Sequence, residues 1–565
     1  MFLKIFNVSI IGIIIGTIVA CSVQIFLYLI EFFGNYFKNT ELVFYSQNPQ
    51  SYINFNFLIF IIIIPTLIGY IVGRIRDFAE GKRWHGPPDV ILSVHTRNNP
   101  LDIKTGFLTS FSSVLSISVG GSVGQYGPLV HFGATIGANI KKYFKDILDY
   151  QIFLGAGVAA AISSGFGAPL AGLIFAREVI LRHQSLASFA PILVSSVVAY
   201  QITKIFFGFD PILPDSIGGL SSLKEFPALI ILGIFSGFVA VVYMKSLTHK
   251  KFFPDISIIK SHYQPAVAGL ICGIFSFLLP EVTGLGTSTI QNILSGNLSL
   301  NFVTYLLIFK LLLTSICIRM GLIGGVFAPA LFLGACTGFI LGSFFYILLP
   351  ESNVALFAIA AMSAVGSCVI GGPVANMMII FELSSDYQVT LAAGLCIVFA
   401  SIVSSKLIGQ SVFDRVLLNR NINLDIGDEN LRLQNLNIRK ILHDEFCVIK
   451  PEHQIDTAIK ILAKKKFSEG YVLDKNKNLI NKVSLSQLLL IKNKKQKVRK
   501  ISKFKFLKID ANKNILESIE LCKDFVGESI PIVSKQEFLG VIGESDLLKI
   551  ILKVNNDRRE VELKL

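Results

Sequence analysis

A glycine-rich break inside an apolar stretch constrains this chain more than any other sequence feature. The stretch runs from Gly120 to Gly137 and reads GGSVGQYGPLVHFGATIG. Its first half holds too much glycine for a continuous helix, whereas Pro128 is a residue type favoured in a first helical turn. The pattern therefore predicts a helix that begins within an apolar region. Backbone N–H groups at such a start lack partners inside the helix and lie at its positive end, so the stretch is a candidate anion site.

The same break recurs about 200 residues later. When Gly124 is aligned with Gly325, an offset of 201 residues, the prolines, glycines and alanine that follow also match. Two further segments, 167–178 and 371–382, match at an offset of 204, and each ends in a glutamate. Coincidental glycines are the alternative, but two ordered matches at nearly one offset disfavour it. Matching broken helices in two halves of a membrane chain predict a substrate site where the halves meet.

Composition places most of this chain in a membrane. Hydrophobic residues make up 52% of it and charged residues only 16%, whereas a soluble protein carries about 25% charged residues. About 20 apolar residues cross a bilayer. Such runs are found at 5–33, 55–74, 226–246, 264–279, 302–318 and 389–408. The first run exceeds the apolar core of a signal peptide, which favours a retained helix over a cleaved leader.

The chain beyond about Asn419 has a soluble composition. Residues 437–491 and 498–554 each contain a helix-like segment, a short β-rich run and a closing helix. The chain has a net charge of +14, and its Lys and Arg residues are concentrated in this region. This concentration predicts a cytoplasmic C-terminus. Nucleic-acid binding is disfavoured, because no recognised motif accompanies the charge. Neither a disulfide framework nor a metal site is predicted, because the cysteines are single and the histidines lack ligand spacing.

Together, the membrane motifs resemble the CLC family of chloride channels and proton–chloride antiporters, over roughly residues 5–420. Four segments follow the family's order: HGPP at 85–88, GQYGP at 124–128, the GAPLAG segment at 167–178 and GVFAP at 325–329. The two soluble repeats resemble a CBS pair. Together these resemblances imply an all-α polytopic membrane domain with broken helices, followed by a cytoplasmic α/β CBS pair.

The resemblance also implies boundaries, assembly and location. The membrane domain would span 1–420, with inverted halves at about 5–206 and 225–420, and the CBS units would span 437–491 and 498–554. The partners would be chloride or another small anion, the bilayer and a second copy of the chain. The location would be a prokaryotic inner (plasma) membrane.

By that resemblance, the anion pathway is formed at the broken helices. Its candidate residues are His85, Gly86, Gly124, Gln125, Tyr126, Gly127, Pro128, Gly325, Val326, Phe327, Ala328 and Phe413. A chloride ion has no directional geometry and would be trapped by a full charge, so backbone N–H donors suit it. At Val326 and Phe327 only the backbone is assigned a role.

Two departures from the family pattern predict passive transport. The position of the family's gating glutamate is Tyr126, and a tyrosine with a pKa of about 10 cannot shuttle protons near neutral pH. The inner proton-transfer glutamate of antiporters would follow directly after Glu178, but that position is Val179. The sequence therefore predicts a passive anion channel rather than a proton-coupled exchanger.

Side-chain ligands of the central site also differ from the family. His85 replaces a serine, and Phe413 replaces a pore tyrosine and cannot donate a hydrogen bond. His85 and the Tyr126 hydroxyl are the available replacement donors, although His85 could equally be structural. Tyr126 is interpreted as lining the pore, with plugging of the pore or packing on Phe327 as alternatives.

Three further charges lie in apolar surroundings. Lys310 is a functional candidate by default, either adding positive potential near the pathway or pairing with a carboxylate such as Glu382. Glu178, without a second carboxylate beside it, is interpreted as a structural ionisable group.

The CBS-like repeats retain only part of a nucleotide-binding pattern. Asp546 fits the aspartate that binds a ribose, but Gly543 replaces the hydroxyl residue of the motif. In the first repeat Ser484 is present, and Gln487 replaces the acid. A structural dimerisation module is therefore favoured over adenine-nucleotide sensing, and no other cofactor is expected.

Three alternatives stay open at this point. One is a chloride–proton antiporter with non-standard coupling residues. An intramembrane enzyme regulated by CBS units is disfavoured by the lack of HExxH or any paired metal-ligand spacing. A divalent-cation transporter would need acidic residues along its path, and the broken segments contain almost none. No enzymatic activity is predicted, and the preferred anion is left open.

Overall fold

The chain consists of two compact units, which span Met1–Ile422 and Asn423–Leu565. The computed structural model describes residues 2–47, 55–96, 100–144, 149–182, 186–208, 213, 218–220, 222–249, 259–424, 427–434, 436–501 and 506–563. Each unit is considered by itself.

Helices build the first unit. Those of the first half are α1 (Phe2–Gln47), α2 (Phe55–Arg76), α3 (Pro87–Thr96), α4 (Ile103–Ser118), α5 (Tyr126–Ile140), α6 (Tyr150–Phe166), α7 (Pro169–Phe175) and α8 (Leu186–Ile202). Those of the second half are α9 (Glu225–Thr248), α10 (Gln264–Leu278), α11 (Thr287–Leu294), α12 (Leu300–Arg319), α13 (Phe327–Leu348), α14 (Val354–Ile370), α15 (Pro373–Ser384) and α16 (Tyr387–Leu407), followed by α17 (Val412–Leu418). Two π-helical segments, Ala176–Leu181 and Thr203–Phe207, extend α7 and α8.

The two halves repeat one packing scheme. Helix α1 packs on α8 as α9 packs on α16, and α5 packs on α6 as α13 packs on α14. The α5–α6 and α13–α14 contacts use equivalent glycines. A Cβ at Gly133 or Gly137 of α5 would overlap the backbone of α6. A Cβ at Gly334 or Gly338 of α13 would overlap the backbone of α14. Small residues spaced by four let apolar helices approach closely. The repeat seen in the sequence is thus a repeat of structure.

Among the described residues, six helical stretches are long and apolar enough to cross a membrane. They are Ser9–Tyr36, Ser188–Phe207, Glu225–Thr248, Leu300–Arg319, Phe327–Leu348 and Tyr387–Leu418. The predicted run at 264–279 coincides with α10, but this helix has 15 residues, fewer than the about 20 that cross a bilayer. The stretch Ser188–Phe207 is continuous through Pro191, because packed neighbouring helices tolerate proline in a membrane helix.

The second unit consists of two α/β repeats. Its strands are β1 (Val448–Ile449), β2 (Glu469–Leu473), β3 (Leu479–Ser484), β4 (Ile509–Asp510), β5 (Ile530–Ser534) and β6 (Glu537–Ile542). Its helices are α18 (Asp428–Gln434), α19 (Ile455–Lys465), α20 (Leu485–Leu490), α21 (Ile515–Leu521) and α22 (Glu544–Leu563). The sheets have the orders β1-β2-β3 and β4-β5-β6, and in each the first pair is parallel and the second antiparallel.

The beginning of this unit crosses over to its second repeat. Ile438 is buried with Ile515 and Ile532, and His443 pairs with Val541 through backbone hydrogen bonds. Residues 437–443, assigned from the sequence to the first repeat, therefore complete the core of the second.

Candidate anion pathway

The two glycine-rich breaks meet directly. The N–H of Gly124 donates to the carbonyl oxygen of Gly325 at 2.7 Å, and the N–H of Gly325 donates back at 2.5 Å. A Cβ on Gly325 would lie 2.7 Å from the nitrogen of Gly127, closer than real side chains come. Equivalent residues that contact each other reciprocally are what a two-fold axis between the halves requires.

Two helices begin at this junction with nearly the same backbone. The residue before α5, Gln125, has φ −90° and ψ −26°, and the residue before α13, Val326, has φ −93° and ψ −12°. The first amides of a helix have no partner inside it. Within the described part of the chain, no acceptor is found for the N–H of Val326 or Phe327. The junction therefore offers unpaired donors at the start of α13.

A cavity of about 160 Å³ lies beside the junction. Its wall includes eight of the predicted pathway residues: His85, Gly86, Gly127, Pro128, Gly325, Val326, Phe327 and Phe413. The volume is far above the ~10–15 Å³ that holds one water, so the cavity can accept a small anion with part of its hydration. Four predicted residues lie outside this wall: Gly124, Gln125, Tyr126 and Ala328.

Tyr126 belongs to an aromatic cluster. Its ring stacks on Phe166 with 3.6 Å between centroids and meets the edge of Phe327 at 5.9 Å. The side chain is buried and does not line the cavity. The packing alternative therefore describes the surroundings of Tyr126 beside this cavity, and a pore-lining role stays a prediction. Phe166 was missed, because only the fold brings α6 against the start of α5.

His85 joins the cavity wall to a second histidine. Its Nε2 lies 3.1 Å from the carbonyl oxygen of Glu80, and its ring centroid lies 5.9 Å from that of His131. His131 is buried on α5, and in the described structure neither of its ring nitrogens has a hydrogen-bond partner. Apart from its polarity within an apolar stretch, nothing in the sequence singles out His131.

An ion-pair cluster that was not predicted borders the same cavity. The carboxylate of Asp89 is buried and accepts from the N–H of Gly86 at 3.0 Å. It also contacts Arg83 at 2.7 Å and Arg420 at 2.8 Å. A carboxylate in the first turn of a helix can be recognised in a sequence. Its partner Arg420 cannot be recognised in this way, because it lies 331 residues away along the chain. The cluster holds α3 against the segment that follows α17.

Glu178 and Glu382 each cap the start of a helix in the opposite half of the membrane unit. Glu178 accepts from the N–H groups of Val374 and Ala375, at the start of α15, at 3.1 and 2.7 Å. Glu382 accepts from Leu170 and Ala171, at the start of α7, both at 2.8 Å. The two sets of contacts are equivalent, because Glu178 and Glu382 are separated by the repeat offset of 204 residues. Both carboxylates therefore have a structural position between α7 and α15.

Lys310 does not pair with Glu382, contrary to one of its two interpretations. Its Nζ donates to the carbonyl oxygens of Val282 and Gly284, at 3.0 and 2.9 Å, and lies 4.9 Å from the centroid of the Phe332 ring. The loop that it holds is also bonded to the glycine-rich stretch, since the N–H of Gly284 donates to the oxygen of Gly120. Lys310 thus positions the loop behind the pathway.

The two nucleotide candidates of the second unit take part in structural contacts. Ser484 and Gln487 form a reciprocal capping box at the start of α20. Asp546 accepts from the N–H of Gly543 at 2.8 Å and from His443 at 3.1 Å. Among the residues described, no cluster suited to a metal ion is found.

Comparison with known proteins identifies the family. The model of the voltage gated chloride channel family matches residues 64–405. A putative ClcB-like chloride channel protein of Ralstonia nicotianae is 26% identical over 382 residues, which cover 66% of this chain and 87% of that protein.

Solved structures share the fold. A slow cyanobacterial Cl⁻/H⁺ antiporter matches with a TM-score of 0.65 at 22% identity, covering 73% of this chain and 97% of its own. A eukaryotic CLC transporter matches with a TM-score of 0.62 at 16% identity, covering 95% of this chain and 98% of its own. These likenesses confirm the predicted fold, a mostly helical CLC transporter domain followed by a small α/β region. The chain is a multi-pass membrane protein that belongs to the CLC family of chloride channels and transporters, a family of transport proteins rather than enzymes.

Proposed function

We propose that this chain is a passive anion channel, with chloride as its main ion and one pathway in each subunit of a homodimer. The observation that carries the proposal is the loss of both carboxylates of the proton route. Tyr126 is packed against the rings of Phe166 and Phe327, and Val179 is buried. Glu178, the nearest remaining carboxylate, has both oxygens bound to backbone amides.

Backbone dipoles would supply the anion site. The unpaired amides of Val326 and Phe327 provide donors without a full charge, so an anion can bind and still leave. Arg420 in the cavity wall and Arg83, which contacts Asp89, raise the positive potential there, and Asp89 offsets part of it. Such a balance favours entry of anions without trapping them.

The rival is a chloride–proton antiporter whose coupling residues have moved. It is kept because the cyanobacterial protein that shares this fold is a Cl⁻/H⁺ antiporter. A likeness at 22% identity speaks only to the fold. The two candidates differ in whether a chloride gradient drives protons uphill.

Flux measurements on purified protein in liposomes separate these candidates. We expect chloride, nitrate or fluoride efflux once charge is balanced by a potassium ionophore, with no uphill proton movement in a chloride gradient. Uphill proton movement that is lost in Glu178→Gln would overturn the proposal. Tyr126→Phe, which keeps the stacked ring, should conduct like wild type, whereas Tyr126→Ala should change the rate by opening the aromatic cluster. A Tyr126→Ala rate equal to wild type would remove this side chain from the conduction path.

We further propose that the second unit is a cytoplasmic CBS pair with a structural role, in a prokaryotic inner membrane. The support is its repeated α/β topology, its basic composition and the engagement of Ser484 and Asp546 in helix caps. Titration of the full-length protein with ATP, ADP and AMP should show no binding heat. Heat that disappears in Asp546→Asn would instead establish a nucleotide sensor.

A further inference from the structure

His85 has one ring nitrogen committed to the backbone. A carbonyl oxygen can only accept a hydrogen bond, so Nε2 must donate to Glu80 and carry the proton. A neutral imidazole has a single N–H, and Nδ1 is then left with a lone pair. No hydrogen-bond partner of Nδ1 is found among the described residues. The ring borders the cavity that holds the candidate anion site.

This geometry changes what His85 offers to an anion. In the neutral ring, Nδ1 presents a lone pair, which repels a halide. In the protonated ring, both nitrogens donate, so Nδ1–H becomes a positively charged donor while Nε2 keeps its bond to Glu80. A serine hydroxyl at this position would donate at any pH. His85 can therefore replace such a donor only as an imidazolium.

Charges of both signs surround His85, and burial of the ring opposes its protonation. On its own segment lie Glu80, Arg83 and Asp89, His131 faces it from α5, and Arg420 approaches from beyond α17. The adjoining stretch 321–331 carries no titratable side chain. The π-helical segment packed on α3 contributes two more charged residues, Arg177 and Glu178, and Arg182 follows it directly. Of these, Glu178 is bound to backbone amides and Arg182 to Asp414. Asp89 supports a positive ring, and the two arginines next to it oppose one.

We propose that His85 is a ligand of the permeating anion only when its imidazole is protonated, so that conduction rises on acidification. The inference rests on the proposed channel function. Anion binding and ring protonation favour each other, and this coupling is reciprocal. Raising the chloride concentration must therefore move the midpoint of the pH response to higher pH.

The test is chloride efflux from liposomes with equal pH on both sides. For the wild type we expect roughly tenfold faster efflux at about pH 5 than at about pH 8, the range in which histidine changes charge. His85→Ser, which donates at every pH, should conduct without this dependence, and His85→Ala should be slow throughout. His262→Gln, away from the cavity, should keep the wild-type response.

Several outcomes would overturn the inference. They are a flat wild-type profile, a His85→Ser profile as steep as wild type, or a midpoint that ignores chloride concentration. The last measurement uses wild-type protein alone, so it holds even if a variant misfolds. A flat profile with passive efflux rejects the role of His85 and leaves the channel in place. Uphill proton movement rejects the channel itself.

Discussion

Gly325→Ala is expected to abolish most anion flux. The added Cβ would lie 2.7 Å from the nitrogen of Gly127 and 3.3 Å from the oxygen of Gly124. Both neighbours are backbone atoms of the paired break, so they cannot move without breaking the two Gly124–Gly325 hydrogen bonds. Overpacking of this kind costs about 1–3 kcal/mol. It would also separate the start of α5 from that of α13, where the amides of Val326 and Phe327 supply the donors.

Gly86→Ala is the matched control. Gly86 lines the same cavity, but the nearest atom to its added Cβ is 3.7 Å away, which is ordinary van der Waals contact. Efflux and thermal unfolding in detergent should place Gly86→Ala near wild type and Gly325→Ala well below it. Equal loss in both variants would show that cavity volume, rather than the backbone junction, limits flux.

The junction itself could be predicted from the sequence, because glycine and proline carry local information. Their order predicted where α5 and α13 begin, and the common offset predicted that the two breaks are equivalent. Equivalence does not imply contact, however. Only the packed structure shows that Gly124 and Gly325 bond to each other.

Partners supplied by irregular backbone could not be predicted. The sequence shows Lys310 in an apolar run, which indicates a charge needing compensation, and a carboxylate is the natural guess. Its acceptors are carbonyl groups of Val282 and Gly284, in a loop whose path depends on the surrounding helices. The contact between Arg420 and Asp89 likewise joins distant segments that no local pattern relates.

Roles of single side chains were the least predictable part of the site. The aromatic ring of Tyr126 suits a pore wall and a packed cluster equally well, and the choice depends on Phe166, a residue of another helix. For His85, the residue type was compatible with a neutral donor until the structure showed its Nε2 bound to Glu80.

Glu178→Ala and Glu382→Ala are expected to destabilise the membrane unit by similar amounts. Each removes two acceptors and leaves two amides at a helix start unpaired, at Val374 and Ala375 or at Leu170 and Ala171. An unsatisfied buried polar group costs about 1–3 kcal/mol, and half-burial of these carboxylates places the cost toward the lower end. Glutamine keeps one acceptor oxygen, so Glu178→Gln and Glu382→Gln should fall between alanine and wild type.

The double alanine variant tests whether the two caps act as one joint. Both caps fasten α7 to α15, and these helices pack on each other, so losing one cap loosens the contact that the other needs. Neighbouring sites of this kind are not additive, and we expect the double variant to lose less stability than the sum of the two single losses. Glu351→Ala, an exposed carboxylate between α13 and α14, is the control and should stay within about 0.5 kcal/mol of wild type. Thermal unfolding that places Glu178→Ala beside Glu351→Ala would mean that the amide contacts contribute nothing. The retention of Glu178 would then need a functional reason, which would reopen the case for proton coupling.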